Sequence, residues 1–165
     1  MDAEKFTKKS LEVIESCEKL AYEYNNQELT QAHLMYALVT VEDSLIAKLL
    51  TNMGINMDAF TGECEKLVAN RPKVSGGQLF TSPEFSKALI QAEKEAKQMG
   101  DDYISVEHIF LGLLEKADKD IKRVMNAYGI TRGKFLQVLA NVRGNRKVES
   151  DNPEDTYDAL KKDGD

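Results

Sequence analysis

The chain has 165 residues, of which 42% are hydrophobic and 30% charged, which suits one globular domain or two small subdomains that share a core. Its net charge of −6 disfavours nucleic acid as a partner, because phosphate contacts need a surplus of Lys and Arg. No stretch approaches the roughly 20 apolar residues of a membrane span, and the acidic first residues lack the apolar run of a signal peptide, so we expect a cytoplasmic protein.

The first predicted elements are helices with recognisable starts and stops. Thr7 is an N-cap type of residue ahead of a long helix that runs to about Tyr24. Thr30 begins a second helix, and a short third helix ends at Gly54. Asn56 then begins a fourth. Strand signals are weak, because long alternating runs of β-branched residues and an Asn-Gly hairpin are missing.

The same series follows once more. Ser82 is the next N-cap, with Pro83 at the first helical position, where its missing N–H does no harm. That helix runs to Met99 and stops at Gly100. Later starts and stops fall at three further positions: Ser105, Gly129 and Thr131.

These two series are an internal repeat. Shifting the sequence by 75 residues aligns 7–60 with 82–135 without a gap, and ten of the 54 pairs are identical. Apolar sites repeat as apolar sites and caps as caps. The sequence therefore predicts an all-α fold of two pseudo-symmetric four-helix repeats, about eight helices, packed as one domain. Its predicted parts are 1–71, a joint at 72–80 with Gly76-Gly77, a second repeat at 81–142, and a polar linker at 143–165, in which the basic cluster 143–147 is a solvated tether.

Signatures of catalysis are missing from the sequence. It contains no phosphate-binding loop, no G-x-S-x-G, no H-E-x-x-H and no C-x-x-C. His33 and His108 match across the repeat, and they could serve a metal or acid–base site. Each also falls at the third position of a capped helix, where a polar side chain satisfies the helix start, and we favour that structural interpretation. Cys17 and Cys64 are isolated, and Cys17 is best explained as a small buried residue.

Apolar residues at helical spacing predict the buried faces. On the helix after Ser82, residues 85, 89, 92 and 96 form one stripe, and Ile90 lies off it. On the first helix Val13 lies beside the matching stripe. Such residues either widen the core face or form an exposed apolar groove between the repeats, which would mark a binding surface.

Several motifs resemble the Clp N-terminal repeat domain. They are the segments 4–7, 26–30, 33–38, 72–77, 103–108 and 152–160. Within that family the joint and the last segment are more similar to the ClpB-type disaggregases than to the ClpC or ClpA types.

The resemblance implies a non-enzymatic accessory domain that binds exposed hydrophobic stretches of unfolded or aggregated proteins. It implies a full-length homohexamer that uses ATP and magnesium and works with a DnaK-type chaperone system. The domain itself is expected to be monomeric and to bind no cofactor or metal. The substrate-binding residues that we predict are Thr7, Val13, Leu89, Ile90, Asp101, Tyr103 and Glu107.

Three other functions remain open from the sequence. The first is an adaptor-docking domain of a ClpC- or ClpA-type unfoldase that feeds a protease. The second is a small hydrolase that uses His33 or His108. The third is a helix-turn-helix DNA-binding protein, which the negative charge disfavours.

Overall fold

A computed structural model describes residues 2–154 and Tyr157. The predicted all-α fold is confirmed, with eight α-helices in this part of the chain. After a short 3-10 helix at Ala3–Lys5, the first repeat contains α1 (Lys8–Glu23), α2 (Gln31–Thr40), α3 (Leu45–Asn52) and α4 (Met57–Ala69). The second contains α5 (Pro83–Gln98), α6 (Val106–Glu115), α7 (Lys119–Ala127) and α8 (Arg132–Arg143). None of the described helices is long and apolar enough to cross a membrane.

The predicted caps are confirmed at the starts of both long helices. The Thr7 hydroxyl accepts the Ser10 N–H, and the Ser82 hydroxyl accepts the Phe85 N–H. Each bond satisfies an amide that has no partner within its own helix. Gly100 follows α5 with a φ of +71°, a backbone conformation that glycine adopts without strain.

Two very short parallel pairings tie the repeats together. β1 (Glu28–Leu29) pairs with β2 (Phe80–Thr81), and Phe6 forms a bridge with Ile104. The two pairings are related by the 75-residue shift. In each of them, the chain entering one repeat lies beside the turn that precedes the second helix of the other repeat. This reciprocal exchange places the start of the chain next to α5 and α6.

A buried amide adds a contact between the repeats. The Gln31 side chain, at the start of α2, donates to the Glu84 carbonyl at 2.9 Å and to the Lys116 carbonyl at 2.8 Å. Its oxygen accepts the Asp118 N–H at 2.8 Å. All these partners belong to the second repeat, where Val106 occupies the position equivalent to Gln31. The junction is therefore specified by polar groups as well as by apolar burial.

The segment after α8 differs from the predicted solvated tether. Arg143, the last residue of α8, is buried, and so are Val148, Glu154 and Tyr157 after it. The Asp102 N–H donates to the Val148 carbonyl at 2.8 Å, so the chain turns back along the second repeat. The prediction of a solvated cluster is wrong for Arg143, because hydrophobic patterning does not reveal a charged residue with buried partners. Residues 155–156 and 158–165 of the predicted linker lie outside the described residues.

Candidate functional site

An apolar groove lies between the start of the chain and α5. It has a volume of about 390 Å³, within the range of ligand sites in proteins. Its apolar surface comes from Phe6, Leu89, Ile90 and Ile104. Ile90 is 57% exposed and is one of the few large apolar side chains that the described surface offers to solvent. Its polar lining residues are Asp2, Lys5, Ser86 and Glu93.

An ion pair joins the two sides of this groove. The Lys5 ammonium lies 2.9 Å from a carboxylate oxygen of Glu93. The pair raises the pKa of Lys5 and lowers the pKa of Glu93, in each case chiefly through their hydrogen bond. Both side chains are substantially exposed, so solvent screens the attraction. The groove thus has an apolar floor and a charged rim.

The structure separates the two off-stripe residues that the sequence left open. Ile90 is exposed in the groove, whereas Val13 is fully buried. The prediction of Val13 as a binding residue is wrong in this respect, because its side chain widens the core face of α1. Leu89 lines the groove but is itself 2% exposed. Tyr103 is half-buried and is not among the residues that line the groove.

The two histidines occupy equivalent buried sites. The Nδ1 atoms of His33 and His108 accept the backbone N–H of Thr30 and Ser105, at 3.0 and 2.9 Å. Since Nδ1 accepts, Nε2 carries the proton and donates to Asn26 at 2.8 Å in the first repeat. The structural interpretation of both histidines at helix starts is therefore confirmed. Burial, with a smaller effect from Arg71, lowers the pKa of His33 to about 4.

In the second repeat the histidine contacts a cluster of buried charges. His108 Nε2 lies 2.7 Å from Asp101, and Arg143 contacts the other carboxylate oxygen of Asp101. Burial alone would raise the pKa of Asp101, but the hydrogen bonds from His108 and Arg143 lower it to about 2. We call Asp101, Glu107 and Arg143 the charged cluster, to which His108 donates as a neutral ring.

Glu107 is the least satisfied member of the charged cluster. It is fully buried near the start of α6, and neither of its carboxylate oxygens has a hydrogen-bond partner among the described residues. The Arg143 guanidinium lies 3.6 Å from one of them. A buried carboxylate needs such a countercharge, because desolvation strongly disfavours the ionised form.

Thr7 lies near the charged cluster and contacts Glu154, which is close to the end of the described chain. Its hydroxyl donates to Glu154 at 2.7 Å, and the same Glu154 oxygen accepts the Val106 N–H at 3.3 Å. The predicted substrate-binding residues Thr7, Asp101 and Glu107 therefore lie in one region, but all three are buried beneath the residues after α8, so the prediction that they meet a client directly is wrong in the same respect as that of Val13. We call Val148, Asp151, Glu154 and Tyr157 the cover.

Sequence reasoning missed Arg143, Glu154 and Tyr157. One signal for Arg143 is the 75-residue shift, which pairs it with the buried Val68, just as it pairs Asp101 with Asn26 and Glu107 with Ala32. Three neutral residues of the first repeat are thus replaced by three charged ones. Glu154 and Tyr157 have no comparable signal, because they lie in a segment of polar composition.

The cover makes a pH dependence predictable. Burial, and next the charge of Glu107, raise the pKa of Glu154 to about 7. A raised native pKa contributes stability that is fully present below about 4.5 and is lost as pH rises through about 7. Other ionisable groups lie near Glu154, namely Asp101, Arg143 and Tyr157. The test therefore compares the stability of the unaltered chain with that of Glu154→Gln, whose side chain has the same shape but does not titrate.

As the pH rises from 4.5 to 7, the free energy of unfolding of Glu154→Gln is expected to increase relative to that of the unaltered chain by up to about 1.4 kcal/mol per pH unit. Above pH 7 the difference between the two chains should stay constant. Urea unfolding of both chains at several pH values measures it. A difference that does not change with pH would contradict the raised pKa. The comparison cancels the opposite contribution of His33, whose pKa is lowered.

A second apolar surface lies at the joint. Val74 and Phe80 are 42% and 52% exposed and line a cavity together with Asn26, Arg71 and Pro72. The Val74 N–H donates to the Asn25 carbonyl at 2.8 Å, which holds the first part of the joint against the end of α1. The cavity at this surface has a volume of about 200 Å³, which is smaller than that of the groove. The sequence did not predict it.

The described residues contain no group of three or more His, Cys, Asp or Glu side chains placed to hold a metal ion. Both cysteines are buried and unpaired. Burial raises the pKa of the Cys17 thiol, and it raises the pKa of Cys64 to about 12, which keeps both thiols protonated. The interpretation of Cys17 as a small buried residue is confirmed.

Comparison with known proteins identifies relatives of this chain. Residues 5–128 match the family described as Clp repeat (R) N-terminal domain. The chain is 41% identical over 170 residues to the chaperone protein ClpB of Nitratidesulfovibrio vulgaris and 40% identical over 169 residues to ClpB of Clostridium tetani. Each match covers 99% of this chain, which spans about a fifth of the length of each relative.

A solved structure shares the fold. The Hsp104 N-terminal domain from Candida albicans matches with a TM-score of 0.80 at 20% identity, covering 91% of this chain and 99% of that one. At this identity the match establishes the fold alone.

Proposed function

The chain belongs to the Clp repeat (R) N-terminal domain family, and from this membership we propose that it is the substrate-binding accessory domain of a ClpB-type, ATP-dependent protein disaggregase. Its ligands are exposed hydrophobic stretches of unfolded or aggregated proteins. The observation that carries this proposal is the groove, in which Ile90 is exposed beside Phe6, Leu89 and Ile104.

The geometry of the groove suits weak and unselective binding. Apolar side chains of an unfolded client would remove Ile90 from water, which is favourable in proportion to the area buried. The rim residues Lys5 and Glu93 are already paired with each other, so they impose little choice of charge on the client. Affinities in the micromolar range or weaker follow, since a shallow site must offset the loss of freedom of a flexible chain.

The wider roles of the full-length protein belong to this proposal as well. ATP with magnesium, assembly into a homohexamer and cooperation with a DnaK-type chaperone system require sequence outside this chain. The isolated domain is proposed to act as a cytoplasmic monomer. Of the alternatives, adaptor docking for a protease-linked unfoldase has less support, because the relatives reported above at 41% and 40% identity are ClpB proteins.

The groove can be tested with Ile90→Gln, which keeps the helix and removes the apolar side chain. We expect the affinity for fluorescently labelled unfolded casein to fall about tenfold, because burying the remaining surface of one isoleucine is worth about 1.5 kcal/mol. Fluorescence anisotropy measures this change.

A matched control is Tyr22→Gln on α1. Tyr22 is 67% exposed and lies outside the groove. The Tyr22→Gln variant should leave the affinity for unfolded casein unchanged if the groove is the binding site. Equal losses for both variants would indicate unspecific apolar contact, and unchanged binding by Ile90→Gln would count against the groove.

A further inference from the structure

The two repeats meet at two equivalent junctions, which are filled by different groups. At one junction α2 packs against α5, and at the other α6 packs against α1. The Gln31 side chain fills the first junction through its hydrogen bonds to backbone groups of the second repeat. The 75-residue shift pairs Gln31 with the apolar Val106, and at this second junction the Glu154 carboxylate accepts the Thr7 hydroxyl and the Val106 N–H instead. The first junction is thus filled from within a repeat, and the second by the chain after α8.

The first residues of the two long helices differ in the same sense. Pro83 begins α5 and has no N–H, so it needs no hydrogen-bond acceptor there. Its counterpart Lys8 begins α1, and the Lys8 N–H donates to the Asp151 carbonyl of the cover at 2.8 Å. The Lys8 ammonium also lies 3.9 Å from the Asp151 carboxylate, where both side chains are exposed. The second junction therefore takes hydrogen-bond partners from the cover that the first junction does not require.

The contact between the cover and the second repeat lacks a hydrogen-bond donor. Among the described residues, the buried side-chain atoms without a partner are both Glu107 oxygens, one Glu154 oxygen and the Tyr157 hydroxyl. Ionised carboxylates only accept hydrogen bonds, whereas a proton on Glu154 makes its free oxygen a donor for Glu107. Burial, and next the charge of Glu107, raise the pKa of Glu154 to about 7, in agreement with this arrangement. The cover therefore fits best while Glu154 is protonated, because an unsatisfied buried polar atom is costly.

We propose that the cover is a pH-sensitive latch, which is closed while Glu154 is protonated and opens once this carboxyl group has lost its proton. The closed latch holds the chain after α8 against the second repeat, where the Asp102 N–H donates to the Val148 carbonyl at 2.8 Å. The open latch releases that chain and lets water reach Glu107 and Arg143. The latch acts within this chain, requires no ligand, and does not rest on the function proposed for the groove.

The direction of the switch follows from the two states of Glu154. In the open state its carboxyl group is in water and has its ordinary pKa of 4.5, whereas in the closed state the pKa is raised to about 7. The ratio of closed to open chains is therefore largest below about pH 4.5, falls by up to about tenfold per pH unit up to about pH 7, and is constant above. The pKa of Asp101 is lowered to about 2 and that of Tyr157 is raised, so neither changes its charge in this range. The other charged or titratable groups around the cover are Lys8, Glu107, His108, Arg143 and Asp151.

Hydrogen exchange of the Asp102 amide, followed by NMR, measures the latch, because this N–H bonds to the cover at Val148 and not at Glu154. Its protection factor is the slowing of exchange relative to an unfolded chain at the same pH. Between about pH 5 and about pH 7.5 we expect this factor to fall at least about tenfold. The matched control is the Val74 N–H, which donates to the Asn25 carbonyl at 2.8 Å in the joint after the first repeat. The protection of Val74 should change little, and an equal fall at both amides would overturn the proposal, because it would indicate a loosening of the whole domain.

Two variants assign the pH dependence to one carboxyl group. In Glu154→Gln the side chain still accepts hydrogen bonds and its amide can donate to Glu107, but it does not titrate. The protection of Asp102 should therefore be independent of pH in this variant, and at about pH 7.5 it should exceed that of the unaltered chain. Glu149→Gln removes an exposed carboxylate from the same segment and should retain the pH dependence. The proposal is overturned if the protection of Asp102 in the unaltered chain does not change with pH, or if it changes equally in Glu154→Gln, which would assign the titration to another group.

Discussion

Arg143→Val is expected to lower the free energy of unfolding by about 3–5 kcal/mol, because it leaves the buried carboxylates of Asp101 and Glu107 without their countercharge. Arg143 is 3% exposed, so water cannot replace the guanidinium without opening the structure. Its ring contact with Tyr157 is lost as well. Urea unfolding monitored by circular dichroism measures the change.

The first repeat supplies the compensating variant. The 75-residue shift places Asn26, Ala32 and Val68 where the second repeat has Asp101, Glu107 and Arg143. Replacing all three charged residues by these counterparts removes both carboxylates together with the guanidinium. Substituting a whole buried ionic group by neutral residues is often neutral or stabilising, whereas removing one partner is costly.

The triple variant is therefore expected to recover most of the stability lost by Arg143→Val. His108 should then donate to the amide oxygen that replaces the Asp101 carboxylate, as His33 donates to Asn26 in the first repeat. A triple variant as unstable as Arg143→Val alone would show that the charges matter for more than their mutual compensation. A cost below about 1 kcal/mol for Arg143→Val would show that the carboxylates are neutralised in another way.

The sequence predicted the helices and the pseudo-symmetry because these depend on local rules. A cap such as Ser82, a proline at the first helical position and a glycine after the last turn each act within one helix. Such signals can therefore be recognised in a single sequence. The repeat strengthened the predictions of helix starts and apolar sites that occur in both copies, since the same signal is then found twice at a fixed distance.

The site depended on contacts that local rules do not contain. Val13 and Ile90 both adjoin an apolar stripe, but on opposite sides of it: the 75-residue shift pairs Val13 with the buried Ala88 and Ile90 with the exposed Glu15. The exposure of Ile90 therefore follows from its position around the helix. The contacts of Arg143 and Glu154 could not be predicted in this way, because the residues that bury them are far away in sequence.

The close approach of α5 and α6 gives the last prediction. A Cβ atom placed on Gly112 would overlap the Ala88 carbonyl oxygen and would lie 3.0 Å from the Ala92 nitrogen. Both are backbone atoms of a helix, so neither can move aside alone. The equivalent residue in the first repeat is Ala37, which means that this absence of a side chain is particular to the second repeat.

Gly112→Ala is expected to lower the free energy of unfolding by about 1–3 kcal/mol or more, because the added methyl group forces the two helices apart. Helix propensity acts in the opposite direction, favouring Ala by about 1 kcal/mol. The control is Gly62→Ala within α4, where an added Cβ meets nothing within 4 Å. That variant should gain about 0.5–1 kcal/mol.

This substitution also connects the packing of the second repeat to binding. Leu89 and Ile90 follow Ala88 directly on α5, so a displacement of this helix moves the apolar side of the groove relative to Phe6. Gly112→Ala should therefore weaken the binding of unfolded casein at a temperature where the variant is still folded, while Gly62→Ala should not. A destabilised but normally binding Gly112→Ala would mean that α6 moves and α5 stays, or that clients bind elsewhere.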